Sequence, residues 1–322
     1  MKKQSQRSAS IESLTSKIPQ AGSFAITIFG DLISVHGGEV WLGGFVKLMS
    51  CFGLNEQQVR TALFRLSRDN WLIAKVVGRR SYYKFAPEGL RQFEQVAERI
   101  YAASLPNWEG EWTFVMADAV RGRERDNLRR RLGWLGFGLL PSGLLIHPTS
   151  NQETLKETIN DLGMSDNVIV WKGYLQDSDR AGEVSSIAWD LAATELKYKE
   201  FVNLYEAFVP FVSGLSDLES FILRCRLVHD YRRILLRSPD LPEDLLPENW
   251  SGLKAMSIMV DIYKSIHEKS WRFAQSALEN SSGVFPPPVL DYYARLGGLR
   301  AGINCHDGIL SFDERSALSP GQ

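Results

Sequence analysis

The sequence predicts an α+β, mostly helical protein in three parts: an N-terminal winged helix-turn-helix, a small ferredoxin-like middle domain and an α-helical C-terminal domain. Three observations lead to this prediction. A capped amphipathic helix precedes a basic hairpin near the amino end, strand and helix patterns alternate in the middle, and long amphipathic helices follow. The 322 residues also exceed what one hydrophobic core usually supports.

The predicted boundaries follow changes of pattern along the chain. Residues 1–19 are polar and predict a disordered tail, and they hold no apolar core of the kind that a signal peptide needs. The predicted domains then span residues 20–105, 106–180 and 181–322. Because no run of about 18 apolar residues occurs, the sequence predicts no membrane span.

Three helices are predicted at the start of the first domain. The segments are "QAGSFAITIFGDLIS" (20–34), "GGFVKLMSCFG" (43–53) and a third helix that ends near Arg68 or Asp69. Asn55 and Gln58 have the spacing of a capping box at the start of the third helix. Apolar spacing gives this helix one buried stripe, which comprises Val59, Ala62, Leu63 and Leu66.

A basic hairpin follows the third helix. "WLIAKVV" and "SYYKFA" are rich in β-branched and aromatic residues, and Gly78-Arg79-Arg80 joins them as a turn. A short extended segment, "GGEVWL" (37–42), precedes the second helix, and Pro87 begins a fourth helix at its favoured first position. This order of helices, short strand and hairpin is that of a winged helix-turn-helix.

The middle segment alternates between strands and helices. Strands are predicted at 111–118 and 167–175, helices at 123–136 and 149–163, and a strand or broken strand at 138–148. This β-α-β-α-β order suits a small ferredoxin-like unit. The remainder is predicted to be helical, with long amphipathic stretches at 188–211, 215–236 and 251–279.

The charge is distributed unevenly along the chain. Residues 1–105 contain 14 lysines and arginines against 8 acidic residues, whereas the remainder contains 23 against 30. The first third therefore carries a net charge of +6 and the rest −7. A basic first domain on an acidic remainder indicates a polyanion-binding part joined to a part that binds something else.

Duplex DNA is the polyanion that this pattern favours. A helix fits the major groove, where glutamine suits adenine and arginine suits guanine or phosphate, and an arginine-bearing hairpin tip can clamp phosphates. The residues predicted to contact DNA from the third helix and the hairpin are Gln57, Arg60, Thr61, Arg65, Arg79, Arg80 and Tyr82. The alternative is a winged helix that binds protein, which the charge of the first domain disfavours.

The chain also resembles a known family. "GDLISVHGGEVWLG", "VRTALFRL" and "GRRSYY" in the first domain, "LGWLGFG" and "NVIVW" in the middle, and "RLVHDYRRILLRSPDLPEDLLPENW" near the end resemble the PaaX family of transcriptional repressors over about residues 20–300. The resemblance implies a GntR-like winged-helix domain whose DNA-reading helix and wing fall on the residues named above. It further implies repression of a phenylacetate degradation operon and release by phenylacetyl-CoA.

Two arginine-rich segments are further candidates. "RGRERDNLRRR" (121–131) holds six arginines, which suit either nucleic acid or the phosphates of CoA, unless Glu124 and Asp126 pair with them on a solvated helix surface. "HDYRR" places three side chains three or four residues apart on a long helix. We predict an effector site there, comprising His229, Arg232 and Arg233.

Catalytic and metal-binding motifs are not found. The sequence lacks GxSxG, HExxH, a P-loop and paired metal-ligand spacings, which argues against an enzyme and against a cofactor. Cys51, Cys225 and Cys305 lie far apart, as in a cytoplasmic protein with reduced thiols. We therefore predict a homodimeric DNA-binding repressor with an acyl-CoA effector. The alternative is a DNA-binding domain fused to a nuclease or thioesterase.

Overall fold

The computed structural model describes residues 10–299, 303–306 and 309–312. These residues fall into two compact units. The first unit lies within Met1–Ala103, Phe201–Arg233 and Ala255–Gln322, and the second lies within Ser104–Glu200 and Ile234–Lys254. This division differs from the three consecutive domains that the sequence predicts, because most of the C-terminal helical segment belongs to the same unit as the amino-terminal part.

The amino-terminal part of the first unit contains, after a helical segment at residues 10–16, four further α-helices and three strands within the described residues. They are α1 (Ala21–Ile28), β1 (Glu39–Trp41), α2 (Leu42–Ser50), α3 (Glu56–Arg68), β2 (Leu72–Val77), β3 (Arg80–Phe85) and α4 (Pro87–Ile100). The strands form an antiparallel sheet in the order β1-β3-β2. The predicted sequence of helices, short strand and hairpin is confirmed at the level of elements.

Two local features differ from the prediction. Residues 10–16 are helical and Leu14 is buried, so this part of the predicted disordered tail is folded, while residues 1–9 lie outside the described part of the chain. One π-helical turn, Phe29–Ile33, continues α1. Asp31 of this π-helical turn is buried in the first unit. Its carboxylate accepts hydrogen bonds from Arg224, Tyr101 and Tyr263.

The second unit contains a four-stranded sheet with two helices. Its elements are β4 (Glu111–Met116), α5 (Gly122–Trp134), β5 (Gly138–Leu139), β6 (Leu145–His147), α6 (Gln152–Asp161) and β7 (Ile169–Tyr174). All neighbouring strands are antiparallel, and the strand order is β5-β6-β4-β7. The chain order is therefore β-α-β-β-α-β, because the predicted broken strand at 138–148 is two strands joined by a turn.

A hydrophobic core fixes the helices of the second unit against its sheet. Val115 of β4, Leu128 and Leu132 of α5, and Leu155 and Ile159 of α6 are buried together. The spacing of these residues has period two in the strand and period near 3.6 in the helices, which is the pattern that predicted the elements. This packing leaves the other side of α5 exposed to solvent.

The long C-terminal helices contribute to both units. They are α7 (Ala181–Ala188), α8 (Leu191–Tyr205), α9 (Asp217–Leu235) and α10 (Ser251–Ala277). The amphipathic stretch at 188–211 is not one helix, because a 3₁₀ segment, Glu206–Gly214, follows α8 and contains Pro210. Proline lacks the N–H that an α-helix interior needs. Beyond α10 lie β8 (Glu279–Asn280), β9 (Gly283–Val284), the 3₁₀ segment Leu290–Gly297, β10 (Ile303–His306) and β11 (Ile309–Phe312).

Candidate nucleic-acid interface

The third helix, α3, has one anchored side and one exposed side. Its capping box is present, because the Gln58 amide donates to the Asn55 side chain at 2.9 Å and the Asn55 amide donates to Gln58 Oε1 at 2.9 Å. The predicted stripe of Val59, Ala62, Leu63 and Leu66 is buried, which confirms the orientation of the helix. The outer side therefore carries its polar side chains towards solvent.

The predicted DNA-contacting residues of α3 lie on this outer side. Gln57, Arg60 and Arg65 are exposed and Thr61 is half-buried. Arg60 Nε donates to Glu56 Oε1 at 2.8 Å, and an exposed pair of this kind contributes little stability and exchanges readily with another anion. Arg65 forms no side-chain ion pair or hydrogen bond within the described residues. Its guanidinium group is thus free to meet a ligand.

A groove of about 680 Å³ runs beside α3. Gln57, Thr61 and Arg65 line it together with Ile18 and residues 20–23. Three of the four predicted reading residues therefore meet the surface at one concave site. Arg60 does not line this groove, so it approaches a ligand separately from the other three.

Arg79 occupies the tip of the β2–β3 hairpin. Val77 pairs with Arg80, so the turn consists of Gly78 and Arg79 and is shorter by one residue than predicted. Gly78 has φ +60°, a conformation that glycine adopts without steric cost. Arg79 is exposed, and no ion pair holds it within the described part of the chain. Its position suits contact with a phosphate backbone.

Arg80 has partners within the first unit, which the sequence did not predict. Its Nη1 donates to Glu279 Oε2 at 2.6 Å, and its guanidinium group lies 4.4 Å from the centre of the Trp41 ring. The hydrogen bond to Glu279 raises the pKa of Arg80. Arg80 therefore joins the hairpin to β8 and is less available to DNA than Arg79.

Tyr82 is a correction to the predicted interface. Its ring is buried, with 6% of the residue exposed, although Arg80 and Lys84 lie on the same side of the strand and are exposed. Tyr82 also faces Trp41 across the β1–β3 pair. Its burial makes it a packing residue of the sheet, so it does not present its ring to a ligand.

The prediction omitted two exposed side chains of α3. Phe64 is 69% exposed in the middle of the helix, and Arg68 is exposed near its end, where its Nε donates to Asp69 at 3.0 Å. Both follow Gln57 and Thr61 at intervals of three or four residues, so they share the same helix side. That spacing was readable in the sequence. An exposed phenyl ring there suits apolar contact with a thymine methyl group.

The three predicted effector residues do not form one accessible site. His229 is buried, its Nδ1 lies 2.9 Å from Thr27 Oγ1, and burial together with Arg226, Arg232 and Arg233 lowers its pKa to about 3. Arg233, four residues further along α9, is exposed. The three side chains therefore differ in exposure although their spacing brings them near one side of the helix, and the effector site stays a prediction.

Arg232 nevertheless has an unusual environment. It is only 5% exposed, and its Nε and Nη1 have no hydrogen-bond partner within the described residues. Burial lowers the pKa of Arg232 to about 10. Because a buried cation without a partner is unfavourable, this guanidinium group would gain from an anionic ligand.

The described part of the chain shows no cluster of His, Cys, Asp and Glu that could hold a metal ion. None of its helices combines the length and the apolar character needed to cross a membrane.

Comparison with known proteins identifies the family. Models of the PaaX-like protein, the PaaX protein central Cas2-like domain and the PaaX-like protein C-terminal domain match residues 20–89, 105–184 and 189–276. The transcriptional repressor PaaX of Escherichia coli (strain K12) is 31% identical over 297 residues, which cover 90% of this chain and 94% of that protein. The chain belongs to the PaaX family. The resemblance that the sequence motifs indicated is thus confirmed.

The three PaaX-family segments map differently onto the two units. The first matched segment lies in the first unit and the central one in the second, while the C-terminal segment contributes to both. A solved structure, that of the uncharacterized protein Rv0674 from Mycobacterium tuberculosis, has a similar fold. Its TM-score is 0.52 at 19% sequence identity, covering 77% of this chain and 97% of that one.

Proposed function

We propose that this PaaX-family protein is a DNA-binding transcriptional repressor of an operon for phenylacetate catabolism. In this proposal an aryl-CoA thioester such as phenylacetyl-CoA releases it from its operator. The observation that carries the DNA-binding part is the exposed side of α3 together with Arg79 at the hairpin tip. The Escherichia coli relative is a transcriptional repressor, which supports the repressor part.

The DNA-binding unit of this proposal is a winged helix-turn-helix. In this arrangement α3 is the reading helix that enters the major groove, and β2 and β3 form the wing. Gln57, Thr61 and Phe64 have side chains that can read base edges, while Arg65 and Arg79 suit guanine or phosphate. Arg80 supports the wing through its contact with Glu279 and has no direct role at the base edges.

In this proposal the protein acts as a homodimer. Two reading helices related by a two-fold axis suit an inverted-repeat operator. The ferredoxin-like order of the second unit leaves β7 at the edge of the sheet, and its exposed apolar side chains include Ile169, Val170, Trp171 and Tyr174. An exposed apolar edge strand favours pairing with another strand. A second copy of the same strand, running antiparallel, would pair with the free N–H and C=O groups of this edge.

The proposed effector carries negative charge and an aromatic group. Arg232 is the one predicted effector residue whose surroundings favour an anion, since it is buried and lacks partners for two of its nitrogens within the described residues. Release from DNA requires the effector to bind the non-repressing state more tightly by a few kcal/mol. In this proposal His229 is a buried packing residue that is hydrogen-bonded to Thr27, and Arg233 is an exposed surface residue that does not contact the effector.

An arginine series tests the DNA-binding assignment. Fluorescence anisotropy on the DNA upstream of the neighbouring genes would compare Arg65→Ala and Arg79→Ala with Arg91→Ala. Arg91 is a matched control because it is exposed and bound to Glu88 on α4. We expect losses of about 1–3 kcal/mol of binding free energy for the first two variants and none for the control. Equal affinities for all four proteins would refute the assignment.

The same DNA complex tests the effector. Titration with phenylacetyl-CoA and with free CoA is expected to release DNA only in the presence of the thioester. Arg232→Gln is expected to raise the concentration needed for release without weakening DNA binding. Formation of free thiol during the titration would instead favour the alternative of a thioesterase fused to a DNA-binding domain.

A further inference from the structure

The arginine-rich helix α5 of the second unit takes no part in the function proposed above. Six arginines lie in or beside it, and Arg121 and Arg123 stand at its amino end, where the helix dipole already presents positive potential. Cations at the amino end of a helix lower its stability, because the helix dipole is positive there. Helix stability therefore does not explain the placement of these arginines. The positive potential makes this end of α5 attractive to anions.

The acidic residues of the segment do not neutralise these arginines. Glu124 and Asp126 form no ion pair with them, and Arg121, Arg123, Arg125 and Arg129 have no ionic partner within the described residues. Arg130 bonds only to the neutral side chain of Asn127 at 3.1 Å. The alternative of a locally paired, solvated helix surface therefore lacks the pairs that it requires.

Two of the arginines converge on one glycine. A methyl group built on Gly143, in the turn between β5 and β6, would stand 2.7 Å from Nη2 of Arg125 and 3.5 Å from Nη2 of Arg129. Gly143 has φ +91°, which favours glycine, and its amide donates to the Leu140 carbonyl at 2.8 Å, which fixes the turn. Both guanidinium groups are half-buried, so they lie together over a fixed glycine.

Like charges held together in this way favour a shared anion. Guanidinium groups bind phosphate through paired N–H donors, and two of them can hold one phosphate from different sides. Because Gly143 has no side chain, both guanidinium groups can lie close to this turn and therefore close to each other. A carboxylate would also bind, but a phosphate offers more acceptor oxygens to the several donors of the pair.

We propose that Arg125 and Arg129, over Gly143, form a phosphate-binding site on the second unit. The phosphate can come from a DNA backbone or from a nucleotide-like small molecule such as CoA, and the chemistry of the site is the same for both. Arg121 and Arg123 add positive potential around the site. The proposal stands apart from the reading helix α3, because it concerns different residues in the other unit.

The test uses the full chain and three double variants. R125Q/R129Q removes both guanidinium groups, and R125K/R129K keeps the charge but loses the paired donors. R180Q/R237Q is the matched control, since it removes two exposed arginines from the same unit. Thermal unfolding of each variant establishes that it is folded. If R125Q/R129Q does not fold, R125K/R129K carries the test.

The first arm measures binding of a labelled duplex between 50 and 200 mM salt. The plot of log K against log salt has a negative slope. If DNA supplies the phosphate, R125Q/R129Q makes this slope less steep by about 1–2, and the control changes it less. The second arm measures binding of CoA and of adenosine 3′,5′-bisphosphate by calorimetry. If a small molecule supplies the phosphate, the same variant weakens binding about tenfold or more.

Either arm alone supports the proposal and identifies the source of the phosphate. Behaviour of R125Q/R129Q identical to that of R180Q/R237Q in both arms would overturn it, as would failure of the wild-type chain to bind any of these ligands. The variants Arg65→Ala in the reading helix and Arg79→Ala at the hairpin tip keep this site intact. Loss of DNA binding in them therefore bears on the proposed function and leaves the CoA arm unaffected.

Discussion

The carboxylate of Asp31 is the centre of a buried charged network in the first unit. Arg224 Nε donates to Asp31 Oδ2 at 2.7 Å, and the hydroxyls of Tyr101 and Tyr263 donate to Oδ1 at 2.7 and 2.8 Å. Arg295 Nη1 donates to the same oxygen at 3.1 Å. Burial alone would raise the pKa of Asp31, but the attraction of Arg224 and Arg295 outweighs it and lowers the pKa.

Asp31→Asn tests how much this network contributes to stability. The substitution leaves two buried arginines without their anion, so we expect the free energy of unfolding to fall by about 3–5 kcal/mol. Asp217→Asn is the control, because Asp217 pairs with Arg272 at 2.7 Å on the surface and its loss should cost less than about 1 kcal/mol. Urea denaturation measures both. Equal losses would contradict the structural role of Asp31.

His229 predicts a pH dependence of stability. Burial and the nearby arginines lower its pKa from 6.5 to about 3, so between these values the unfolded chain binds a proton that the folded chain does not. Stability must then fall as the pH is lowered below 6.5, by about 1.4 kcal/mol per pH unit for this group. His36, whose pKa burial also lowers to about 3, adds a similar contribution.

The variant His229→Gln isolates the contribution of this histidine. Urea denaturation between pH 4.5 and 6 should show a smaller pH slope in the variant, reduced by about 1.4 kcal/mol per pH unit. The slope due to His36 should remain. An unchanged total slope would mean that His229 is protonated in the folded chain.

At the scale of elements, the sequence predicted what is local. The capping box of Asn55 and Gln58 and the stripe of α3 are visible in spacing alone, and the structure confirms both. The role of Arg80 was not predictable, since its partner Glu279 is 199 residues away in the chain. The burial of Tyr82 was not readable from strand alternation, because Arg80 and Lys84 lie on the same side of β3 and are exposed.

Two glycines of the first unit predict opposite effects of one substitution. A Cβ on Gly89 in α4 would stand 2.3 Å from the Trp71 carbonyl oxygen, a backbone atom that cannot move aside cheaply. Gly89→Ala should therefore cost about 1–3 kcal/mol of stability. A Cβ on Gly22 in α1 meets nothing within 4 Å, so Gly22→Ala should gain about 0.5 kcal/mol. Thermal unfolding distinguishes them, and a loss in both variants would contradict the packing described.

At the scale of the whole molecule, the sequence predicted the kinds of segment but not their grouping. It predicted three consecutive domains, whereas contacts of α9 with α1 and of α10 with the π-helical turn that continues α1 join distant parts of the chain into one unit. Arg224 reaches Asp31 across 193 residues, and no pattern of periodicity encodes such a pair. The buried His229 and the buried arginines of α9 therefore belong to the unit that carries the candidate DNA interface.

The central claim is that duplex DNA lies against the exposed side of α3. Replacing Phe64 by p-benzoylphenylalanine places a photoreactive ketone in the middle of that side, and the 69% exposure of Phe64 leaves room for the added benzoyl group. Leu290 is the control position, because it is 72% exposed in the same unit. Ultraviolet irradiation of each variant bound to the same duplex should cross-link position 64 to DNA and leave position 290 free. Cross-linking at 290 with none at 64 would contradict the claim.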